Sequence, residues 1–488
     1  MKNSLEGKNI LIIGSGIGGL SAGILLAGLN YRVTIAEKNQ LPGGLMRSYR
    51  RAGIDCPVGV HYVGALGDKE PLGRMFSALG INVQEIFSRM GSGGVIDRYI
   101  FDDFSFDLPA NIEAYEKNLS DSFPDENQAI NVLMNNLREI SRRMLDPAFL
   151  LNQGDPFQNI DYLQPLGDFL DKLNVSPRLR AVISVPCQLV GVPPADCPLI
   201  FHHMVLASYL FSAWRLRESG ARMTDAFVRR FQQLGGNLLL NDEVEKITLK
   251  EKTVTGARLK SGREIAADFI ISDIHPKILL PLLPAETLRI TYRQRIFGLA
   301  ETEGVISVHA SVDAAVHPEM AHNIYRLAID QQGTIKDGVF YQIRRGTNQS
   351  NLLSIITKSL YGEWSPWENT YSGKRPKEYE EKKQKIARDL LRQAEAVFGH
   401  LKNAKIIDVF TPLTIRDYIN CPEGSCYGIM RSSRQLMKIT SVTKMPIEGL
   451  YLTGQNALAP GVMGSLLGSF DVTRKIIGTS RFIQEIKY

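Results

Sequence analysis

The chain has 488 residues, 44% of them hydrophobic and 22% charged, and its formal net charge is +6. Such values are typical of a folded protein whose core is large enough to need no disulfide or structural metal. Lysine and arginine are scattered along the chain, which argues against a nucleic-acid partner but allows weak attraction to anionic lipid. A prior of about 150 residues per domain predicts roughly three domain-sized units.

The cysteines are few and odd in number, which indicates reduced thiols and an intracellular, cytoplasmic location. Only Cys421 and Cys426 lie close together in sequence, where two reduced thiols are favoured over a redox disulfide. No nearby ligands complete a zinc site, so we expect no metal. Residues 1–9 are polar, unlike a signal peptide, and no apolar run reaches the length of a spanning helix.

The N-terminal residues predict one βαβ unit. A strand at residues 9–13 is followed by a glycine-rich turn at residues 14–19 and a helix at residues 20–29. A second strand at residues 31–36 ends at Glu37. This alternation predicts a parallel sheet with a right-handed crossover.

The remaining elements follow from hydrophobic periodicity and turn residues. Residues 41–67 are predicted to be a glycine-rich loop with a few extended residues, and residues 111–222 are predicted to be mostly helical. Strands then return to the first sheet and form a small meander beside it. The predicted helices are 113–144, 163–175, 199–216, 377–397 and one from about 465, and the predicted strands are 237–240, 244–248, 253–259, 269–272, 304–312, 338–344 and 449–454.

The glycine turn has the composition and the context of a dinucleotide site. Gly14 permits the tight turn, Gly16 allows the backbone to approach a pyrophosphate, and Gly19 allows close packing of helix on strand. The N-terminus of the helix attracts the phosphate charge. Glu37 can accept hydrogen bonds from ribose hydroxyls and disfavours a 2′-phosphate.

A second glycine cluster at residues 454–464 precedes the last helix and favours FAD over NAD. A dinucleotide longer than one βαβ unit can cover needs remote backbone contacts of this kind. The second helix N-terminus can face an electron-rich ring and stabilise an anionic reduced flavin. The sequence has no second fingerprint of the same quality for NADPH, so NAD(P)H, a quinone or a partner protein stays open as the electron partner.

These residues resemble the FAD-dependent phytoene desaturase-type superfamily, which is related to amine oxidases. The resemblance rests on the N-terminal fingerprint with Glu37, the Pro42-Gly-Gly-Leu45 loop and the C-terminal Leu450-Tyr-Leu-Thr-Gly454 segment. Within the superfamily the chain is most similar to the carotenoid isomerase and retinol saturase branch. The segments similar to that branch are Pro42-Gly-Gly-Leu-Met-Arg47, Gly59-Val-His-Tyr-Val-Gly64, Thr411-Pro412 and Gly424-Ser-Cys-Tyr-Gly428.

The resemblance implies an α/β fold in which a Rossmann-like FAD-binding domain carries an inserted substrate domain of mixed sheet plus helices. The FAD-binding domain is expected to comprise residues 1–90, 223–282 and 405–488. A helical region that faces substrate or membrane is expected at residues 91–222, and the substrate domain at residues 283–404. Oligomeric state and peripheral membrane contact stay open.

The implied activity is that of a saturase or isomerase acting on carbon–carbon double bonds of a long apolar polyene, such as a carotenoid or retinoid. A phytoene-type desaturase, or an enzyme of acyl-chain desaturation or reduction, is an alternative. A flavin amine oxidase would need an aromatic cage and often a covalent flavin link, for which Cys421 or Cys426 are candidates. A lipid-binding protein resembling the GDP-dissociation inhibitors would not need a complete dinucleotide site.

Two groups of site residues are expected. His61 and Tyr62, in a glycine-flanked loop, are the candidate catalytic residues, as proton donors or positioning residues for hydride addition to a conjugated alkene. Arg47 is expected to neutralise the pyrophosphate or to orient a polar substrate end. The residues expected at the cofactor are Gly14, Ser15, Gly16, Ile17, Gly18, Gly19, Glu37, Lys38, Gly43, Gly44, Leu45, Met46, Arg47, Val60, His61, Val244, Gly454, Gln455, Gly461, Val462, Met463 and Gly464.

Two features of the apolar stretch 199–216 have simpler explanations than binding. Arg215, Arg217, Glu218 and Arg222 would suit docking on a membrane surface, but a buried core helix with a solvated end is the favoured interpretation. His202 and His203 are adjacent, so on a helix they point about 100° apart. We expect them to be ordinary packing or surface residues.

Overall fold

The computed structural model describes residues 7–150, 160–218, 220–347, 349–439, 442–443 and 445–487. Residues 1–6 of the polar N-terminal segment lie outside this part of the chain. The strands found in it are β1 (Asn9–Ile13), β2 (Arg32–Ala36), β3 (Ser48–Arg51), β4 (Ile54–Pro57), β5 (Tyr62–Gly64), β6 (Phe87–Arg89), β7 (Val95–Ile100), β8 (Ser105–Pro109), β9 (Ala213–Leu216), β10 (Asn237–Leu239), β11 (Val244–Lys250), β12 (Thr253–Leu259), β13 (Glu264–Ala266), β14 (Phe269–Ser272), β15 (Gly304–Asp313), β16 (Asn323–Ile329), β17 (Ile335–Arg345), β18 (Ser350–Ser359), β19 (Lys405–Phe410) and β20 (Leu450–Leu452).

The helices surround these strands and include several of a single turn. They are α1 (Ile17–Gly28), α2 (Pro71–Leu79), α3 (Val83–Ile86), α4 (Ile112–Ser122), α5 (Asn127–Leu145), α6 (Leu166–Lys172), α7 (Pro177–Ser184), α8 (Leu199–Phe211), α9 (Gly220–Gln233), α10 (Pro276–Leu279), α11 (Ile290–Phe297), α12 (Lys377–Phe398), α13 (Pro412–Ile419), α14 (Leu436–Ile439), α15 (Gly461–Ile477) and α16 (Thr479–Glu485).

Five parallel strands form the first sheet, in the order β10-β2-β1-β14-β20. β1 is almost wholly apolar and buried, as expected for the central strand of a parallel sheet covered on both faces. On one face, α1, α9 and α15 pack into a single hydrophobic core with the sheet. Since the strands are parallel, their carboxyl ends share one edge, where such sheets bind ligands. The predicted Rossmann-like α/β fold is confirmed.

A seven-stranded sheet forms the second layer, in the order β19-β15-β18-β17-β16-β7-β8. Its pairs are antiparallel except for β16 with β7, which run parallel. One face packs against the long amphipathic helix α12 through the buried aromatics Trp364 and Tyr379. The other end of the sheet packs, through Tyr325 and Phe340, into the core formed by α4 to α8. This sheet is the mixed sheet expected beside the Rossmann-like domain.

The apolar stretch 199–216, predicted as one helix, is a helix followed by a strand. α8 ends at Phe211, Ser212 is extended, and β9 pairs antiparallel with β5 and β6. Apolar runs look alike in a buried helix and a buried strand, so the pattern does not locate the break. The stretch 113–144 is likewise divided into α4 and α5, because Pro124 cannot continue the hydrogen bonding of a helix. The loop predicted at 41–67 contains β3, β4 and β5.

Two strands revise the expected division of the chain. β7 and β8 lie in the range 91–222, which the sequence predicts as helical, yet β7 pairs with β16 and so extends the seven-stranded sheet. β19 lies in the range 405–488 assigned to the cofactor domain, but it forms the opposite edge of the same sheet. These pairings join residues far apart in sequence, which local patterning does not reveal.

No helix in the described parts of the chain is long and apolar enough to cross a membrane. Arg215 and Arg217, expected at the solvated end of a helix, lie instead on β9 and just after it. Arg215 donates to the carbonyl of Met320, and Arg217 Nε donates to the carbonyl of Phe87 at 3.0 Å. These two side chains therefore hold backbone groups together, and peripheral membrane contact stays a prediction.

Gly64→Ala is expected to lower the free energy of unfolding by about 1–3 kcal/mol. Gly64 packs against the backbone of α8, where an added Cβ would lie 2.5 Å from the carbonyl carbon and oxygen of Ser208. Chemical denaturation followed by circular dichroism measures the change. Gly93→Ala is the control, because Gly93 is exposed and its added Cβ would meet nothing within 4 Å. Equal stability of the two variants would contradict this packing.

Candidate functional site

A cavity of about 710 Å³ lies where the two sheets and the α4–α8 core converge. One part of its wall is the glycine turn between β1 and α1, together with the start of α15. The opposite part is apolar and aromatic, and is formed by one side of α8 and by the inner end of the seven-stranded sheet. Its apolar lining residues include Phe201, Met204, Val205, Phe340 and Ile356. The cavity therefore joins a polar, glycine-rich end to an apolar end.

Asp273, directly after β14, anchors the glycine turn from below. Its carboxylate accepts hydrogen bonds from the backbone N–H groups of Gly16 and Gly19. The fit is tight, because a Cβ on Gly16 would lie 2.5 Å from Asp273 Oδ2, and one on Gly18 would lie 2.6 Å from the Gly454 backbone. Burial, with repulsion from a nearby carboxylate, raises the pKa of Asp273 to about 7.

Glu37 ends β2 and is buried beside the same turn. Its Oε2 accepts hydrogen bonds from the Ser15 amide at 3.0 Å and the Ser15 hydroxyl at 2.7 Å, while Oε1 accepts from the Asn39 amide at 2.9 Å. The carboxylate is thus held rigidly at the carboxyl end of the sheet. Oε1 also accepts from Asn39 Nδ2 at 2.8 Å, so the two lone pairs of each oxygen are in use, and a ligand hydroxyl group would bind Glu37 by replacing the Ser15 hydroxyl or the Asn39 side-chain amide.

The N-terminus of α15 faces the cavity from the other side. Its N-cap is Pro460, which provides no capping side chain, and Gly461 has a φ of +77° with nothing within 4 Å of where a Cβ would stand. α1 also begins without a side-chain cap, at Gly16. Both helices thus begin at the cavity, where their N-termini favour electron-rich groups.

Most of the residues expected at the cofactor line this cavity. The exceptions are Gly19, Gly454 and Arg47. Gly19 and Gly454 lie just behind the wall and have packing roles, since a Cβ on either would press on the turn or on Asp273. The residues on the wall are Gly14, Ser15, Gly16, Ile17, Gly18, Glu37, Lys38, Gly43, Gly44, Leu45, Met46, Val60, His61, Val244, Gln455, Gly461, Val462, Met463 and Gly464.

Arg47 does not have the position expected of a pyrophosphate ligand. Its guanidinium donates to the carbonyl of Leu41 at 3.2 Å and to the carbonyl of Tyr418 at 3.0 Å. It therefore ties the loop after β2 to the end of α13. Arginine can satisfy several carbonyls at once because its donors are spread in a planar fork.

His61 faces the cavity but is unsuited to be a charged acid. Burial, and then the nearby His309 and Arg344, lower its pKa to about 3, so the ring is neutral near pH 7. Its Nδ1 is buried and has no hydrogen-bond partner, while the ring packs 5.7 Å from Phe340. A neutral imidazole can position a ligand by hydrogen bonding, but it is a poor source of protons.

Tyr62, the other candidate, belongs to a buried polar cluster on the cavity wall. Its hydroxyl donates to Asp97 Oδ2 at 3.0 Å and lies 2.8 Å from the hydroxyl of Tyr325. The second oxygen of Asp97 accepts from Asn323 Nδ2 at 2.8 Å. Sequence analysis did not identify Asp97 or Tyr325, because β7 and β16 meet this loop only through the fold.

The cysteine and histidine pairs are more buried than their sequence context suggests. Cys421 and Cys426 are free thiols on the cavity wall, and burial raises the pKa of each to about 12. Both are therefore protonated near neutral pH and are weak nucleophiles. His202 and His203 are fully buried, with their Nδ1 atoms 3.0 Å apart. The prediction that they are packing residues is confirmed, and the alternative that they lie on the surface is wrong.

Known proteins similar to the chain fall in one group. The NAD(P)-binding Rossmann-like domain family matches residues 12–79. All-trans-retinol 13,14-reductase of Danio rerio is 23% identical over 524 residues, covering 95% of this chain and 85% of the relative. Prolycopene isomerase 2, chloroplastic, of an Oncidium hybrid cultivar is 27% identical over 494 residues, covering 93% of this chain and 81% of the relative. These relatives agree with the resemblance to the phytoene desaturase-type superfamily that the sequence motifs indicate.

Both relatives bear the names of the branch that the sequence resembles, so that resemblance is confirmed. Solved structures agree with the fold described above. An oxidoreductase from Methanosarcina mazei aligns with a TM-score of 0.68 at 14% identity, over 95% of this chain and 99% of that one. Cyclohexylamine oxidase from Brevibacterium oxydans aligns with a TM-score of 0.62 at 16% identity, over 98% and 99%. At such identities these structures show the fold alone, and the named relatives show that the chain is an enzyme.

One functional residue that the sequence analysis missed had a detectable signal. Asp273 follows a buried parallel strand directly, at the sheet edge where ligands bind. An acidic residue at that point is a candidate on position alone. Asp97 and Tyr325 lie within strands of alternating pattern and have no such signal.

Asp273→Asn is expected to flatten the dependence of stability on pH. The folded pKa of about 7 lies above the ordinary value of 3.8, so wild-type stability falls as pH rises from about 4 through 7. The shift of about three pKa units, at 1.36 kcal/mol per unit, corresponds to about 4 kcal/mol. Relative to wild type at the same pH, the variant's free energy of unfolding should therefore rise by up to about 4 kcal/mol between pH 4 and pH values above 7. Denaturant titrations across this range measure it.

The exposed residue Asp225 provides the control, because Asp225→Asn changes the same side-chain chemistry away from the cavity. A constant stability difference between Asp273→Asn and wild type from pH 4 to pH 8 would contradict the raised pKa.

Proposed function

We propose that this protein is an FAD-dependent oxidoreductase that acts on carbon–carbon double bonds of a long apolar polyene, as a saturase or an isomerase. The proposal rests on one observation above all: a single cavity has glycine-rich helix N-termini at one end and an apolar, aromatic wall at the other. The names of the retinol reductase and prolycopene isomerase relatives support the polyene class of substrate.

The polar end of the cavity suits FAD in the chemistry of its donors and acceptors. The turn of residues 14–19 offers backbone N–H groups to a pyrophosphate, and Glu37 offers a fixed carboxylate to the adenosine ribose. The uncapped start of α15 offers N–H groups to the electron-rich part of a ring. FAD would supply hydride transfer and electron storage. In this proposal the wall residues named above bind it, and Gly19, Gly454 and Arg47 support them from behind.

The domain division that we propose follows from this assignment. The FAD-binding domain comprises residues 1–90, 223–282 and the C-terminal piece, which begins after β19 rather than at residue 405. The remaining segments form the substrate side. β7 and β8 belong with residues 283–404 because they share one sheet.

The apolar end of the cavity suits an extended hydrocarbon. One side of α8 contributes Met204, Val205 and Tyr209, and the sheet contributes Phe340 and Ile356. Burying such a ligand removes it from water, and His61 beside it is neutral. Excluding water there also limits side reactions of a reactive polyene intermediate.

A visible spectrum of the purified protein with added FAD tests the proposal first. We expect bound flavin bands that bleach with dithionite, and conversion of all-trans-retinol or prolycopene under anaerobic conditions. Loss of double bonds in the product would identify a saturase, and an unchanged mass an isomerase. A protein that takes up no FAD would contradict the proposal.

Gly18→Ala is expected to weaken FAD binding at least about tenfold, which is about 1.4 kcal/mol. The added Cβ would meet the carboxylate of Asp273 and lie 2.6 Å from the Gly454 backbone, and so would push the two glycine segments apart. Fluorescence titration of FAD measures this. The control is Gly362→Ala, since Gly362 is exposed and its added Cβ would have open space around it. Unchanged affinity in a folded Gly18→Ala protein would refute the assignment of the turn.

Val205→Phe is expected to raise KM for a polyene about tenfold and to leave FAD affinity unchanged. Val205 faces the apolar end of the cavity from α8, so a larger side chain occupies the volume that a polyene needs. Steady-state kinetics with retinol or prolycopene and FAD titration measure the two effects. Val132→Phe on the exposed side of α5 is the matched control. Equal KM values for both variants would place the substrate elsewhere.

A further inference from the structure

A short hydrogen-bonded chain leads from the interior of the protein to the cavity. At its inner end is Asp97, which is 1% exposed and does not line the cavity. Its Oδ2 is 3.0 Å from the Tyr62 hydroxyl, which lies 2.8 Å from the Tyr325 hydroxyl. Tyr62 and Tyr325 both line the cavity. The order along the chain is therefore carboxyl, first hydroxyl, second hydroxyl and ligand space.

The other groups around Asp97 fix which of its oxygens takes part. Asn323 Nδ2 donates to Oδ1, and Gln342 Nε2 donates to Asn323 Oδ1 at 2.7 Å, so the amide of Asn323 is oriented. Only Oδ2 is left to exchange a proton with Tyr62. In the described part of the chain, no lysine, arginine or histidine pairs with this carboxyl group.

The protonation state of Asp97 decides the direction of every hydrogen bond in the chain, because each tyrosine hydroxyl has only one proton. When Asp97 is ionised, Tyr62 donates to it, Tyr325 donates to Tyr62, and the oxygen of Tyr325 can only accept from the cavity. When Asp97 is protonated, it donates to Tyr62, Tyr62 donates to Tyr325, and the hydroxyl of Tyr325 points its proton at the ligand.

Asp97 is the member of this cluster that titrates near neutral pH. Burial raises its pKa to about 7, although the hydrogen bonds from Asn323 and Tyr62 lower it. The titratable groups that face it from the surrounding elements are the tyrosines Tyr62 on β5, Tyr99 on β7, Tyr209 on α8 and Tyr325 on β16. Burial raises the pKa of all four well above 10, so they stay neutral.

We propose that Asp97, Tyr62 and Tyr325 form a proton relay, in which Asp97 holds the proton and Tyr325 delivers it to a double bond in the cavity. This inference rests on the proposed function. Tyr325 is then a catalytic residue that touches substrate, and Asp97 is a positioning residue that acts through the tyrosines.

The step balances in saturation of one double bond. One carbon takes a hydride, with its electron pair, from the reduced cofactor, and the other carbon takes the proton of Tyr325. The proton of Tyr62 moves to Tyr325, and that of Asp97 moves to Tyr62, which leaves a carboxylate. Water that enters after product release returns one proton along the same chain. In an isomerase, Tyr325 donates the proton to the double bond, and the same hydrogen-bonded chain accepts a proton from the product intermediate afterwards.

The first experiment measures single-turnover conversion of all-trans-retinol and of prolycopene by FAD-loaded, dithionite-reduced protein between pH 5 and pH 9. We expect the rate to fall as pH rises through about 7, because the donating form of the chain is lost. Asp97→Asn and Tyr325→Phe should each lower the rate about a hundredfold and remove the step near pH 7. Tyr341→Phe is the control, because Tyr341 is a buried tyrosine of the same sheet that lies away from the cavity.

The second experiment needs neither cofactor nor substrate. Infrared difference spectra during a pH titration should contain a band of a protonated carboxyl group that disappears through about pH 7 and is absent in Asp97→Asn. Tyr62→Phe should move this transition to higher pH, because the carboxylate loses a donor. Tyr341→Phe should leave it in place.

The two experiments separate failure of the relay from failure of the proposed function. A wild-type pH profile in both Asp97→Asn and Tyr325→Phe, or the absence of an Asp97 band that titrates, would overturn the relay. A normal titration without FAD uptake or polyene conversion would instead overturn the proposed function, while Asp97 would still stand as a proton-holding group coupled to Tyr62.

Discussion

The arrangement of the site depends on the hydrogen bonds between the Asp273 carboxylate and the backbone amides of Gly16 and Gly19. At the start of α1 these amides lack partners within the helix, and the carboxylate supplies an acceptor to both. The same side chain occupies the space that a Cβ on Gly18 or Gly454 would take. It therefore fixes the first glycine turn relative to β14 and to the loop after β20. The second glycine segment keeps its place across the cavity for the same reason.

The apolar half of the cavity is set by strand pairing rather than by a local turn. The parallel pairing of β7 with β16 brings Asp97 level with Asn323, and the pairing of β5 with β9 holds Tyr62 at the end of α8. Arg344 strengthens this corner, because it donates to the carbonyls of Leu216 and Glu218. The seven-stranded sheet thus supplies Asp97 and Tyr325 to the buried cluster, β5 supplies Tyr62, and the sheet also encloses the ligand space beside them.

The parts predictable from sequence are those whose signal is local. β1, β12 and β14 begin and end at the predicted residues, and the turn from Gly14 to Gly18 with Glu37 lines one site as its spacing indicates. The break between α8 and β9 was not predictable, because helix and strand there have the same apolar composition. Asp97 meets residues 35 and 226 positions away, so its environment is a product of topology alone.

The carboxyl groups of Asp273 and Asp97 are both buried near this cavity and both have raised pKa values. Their hydrogen-bond partners differ in kind. Asp273 accepts from the backbone amides of Gly16 and Gly19, which every residue except proline would supply, so an acceptor at that position is a structural need. The hydrogen-bond partners of Asp97 are all side chains. Apolar residues of similar volume in place of such a cluster are often neutral or stabilising, because burying an unpaired acid costs several kcal/mol. Backbone hydrogen bonding therefore accounts for an acceptor at position 273, whereas the proposed relay through the tyrosine hydroxyls would account for Asp97.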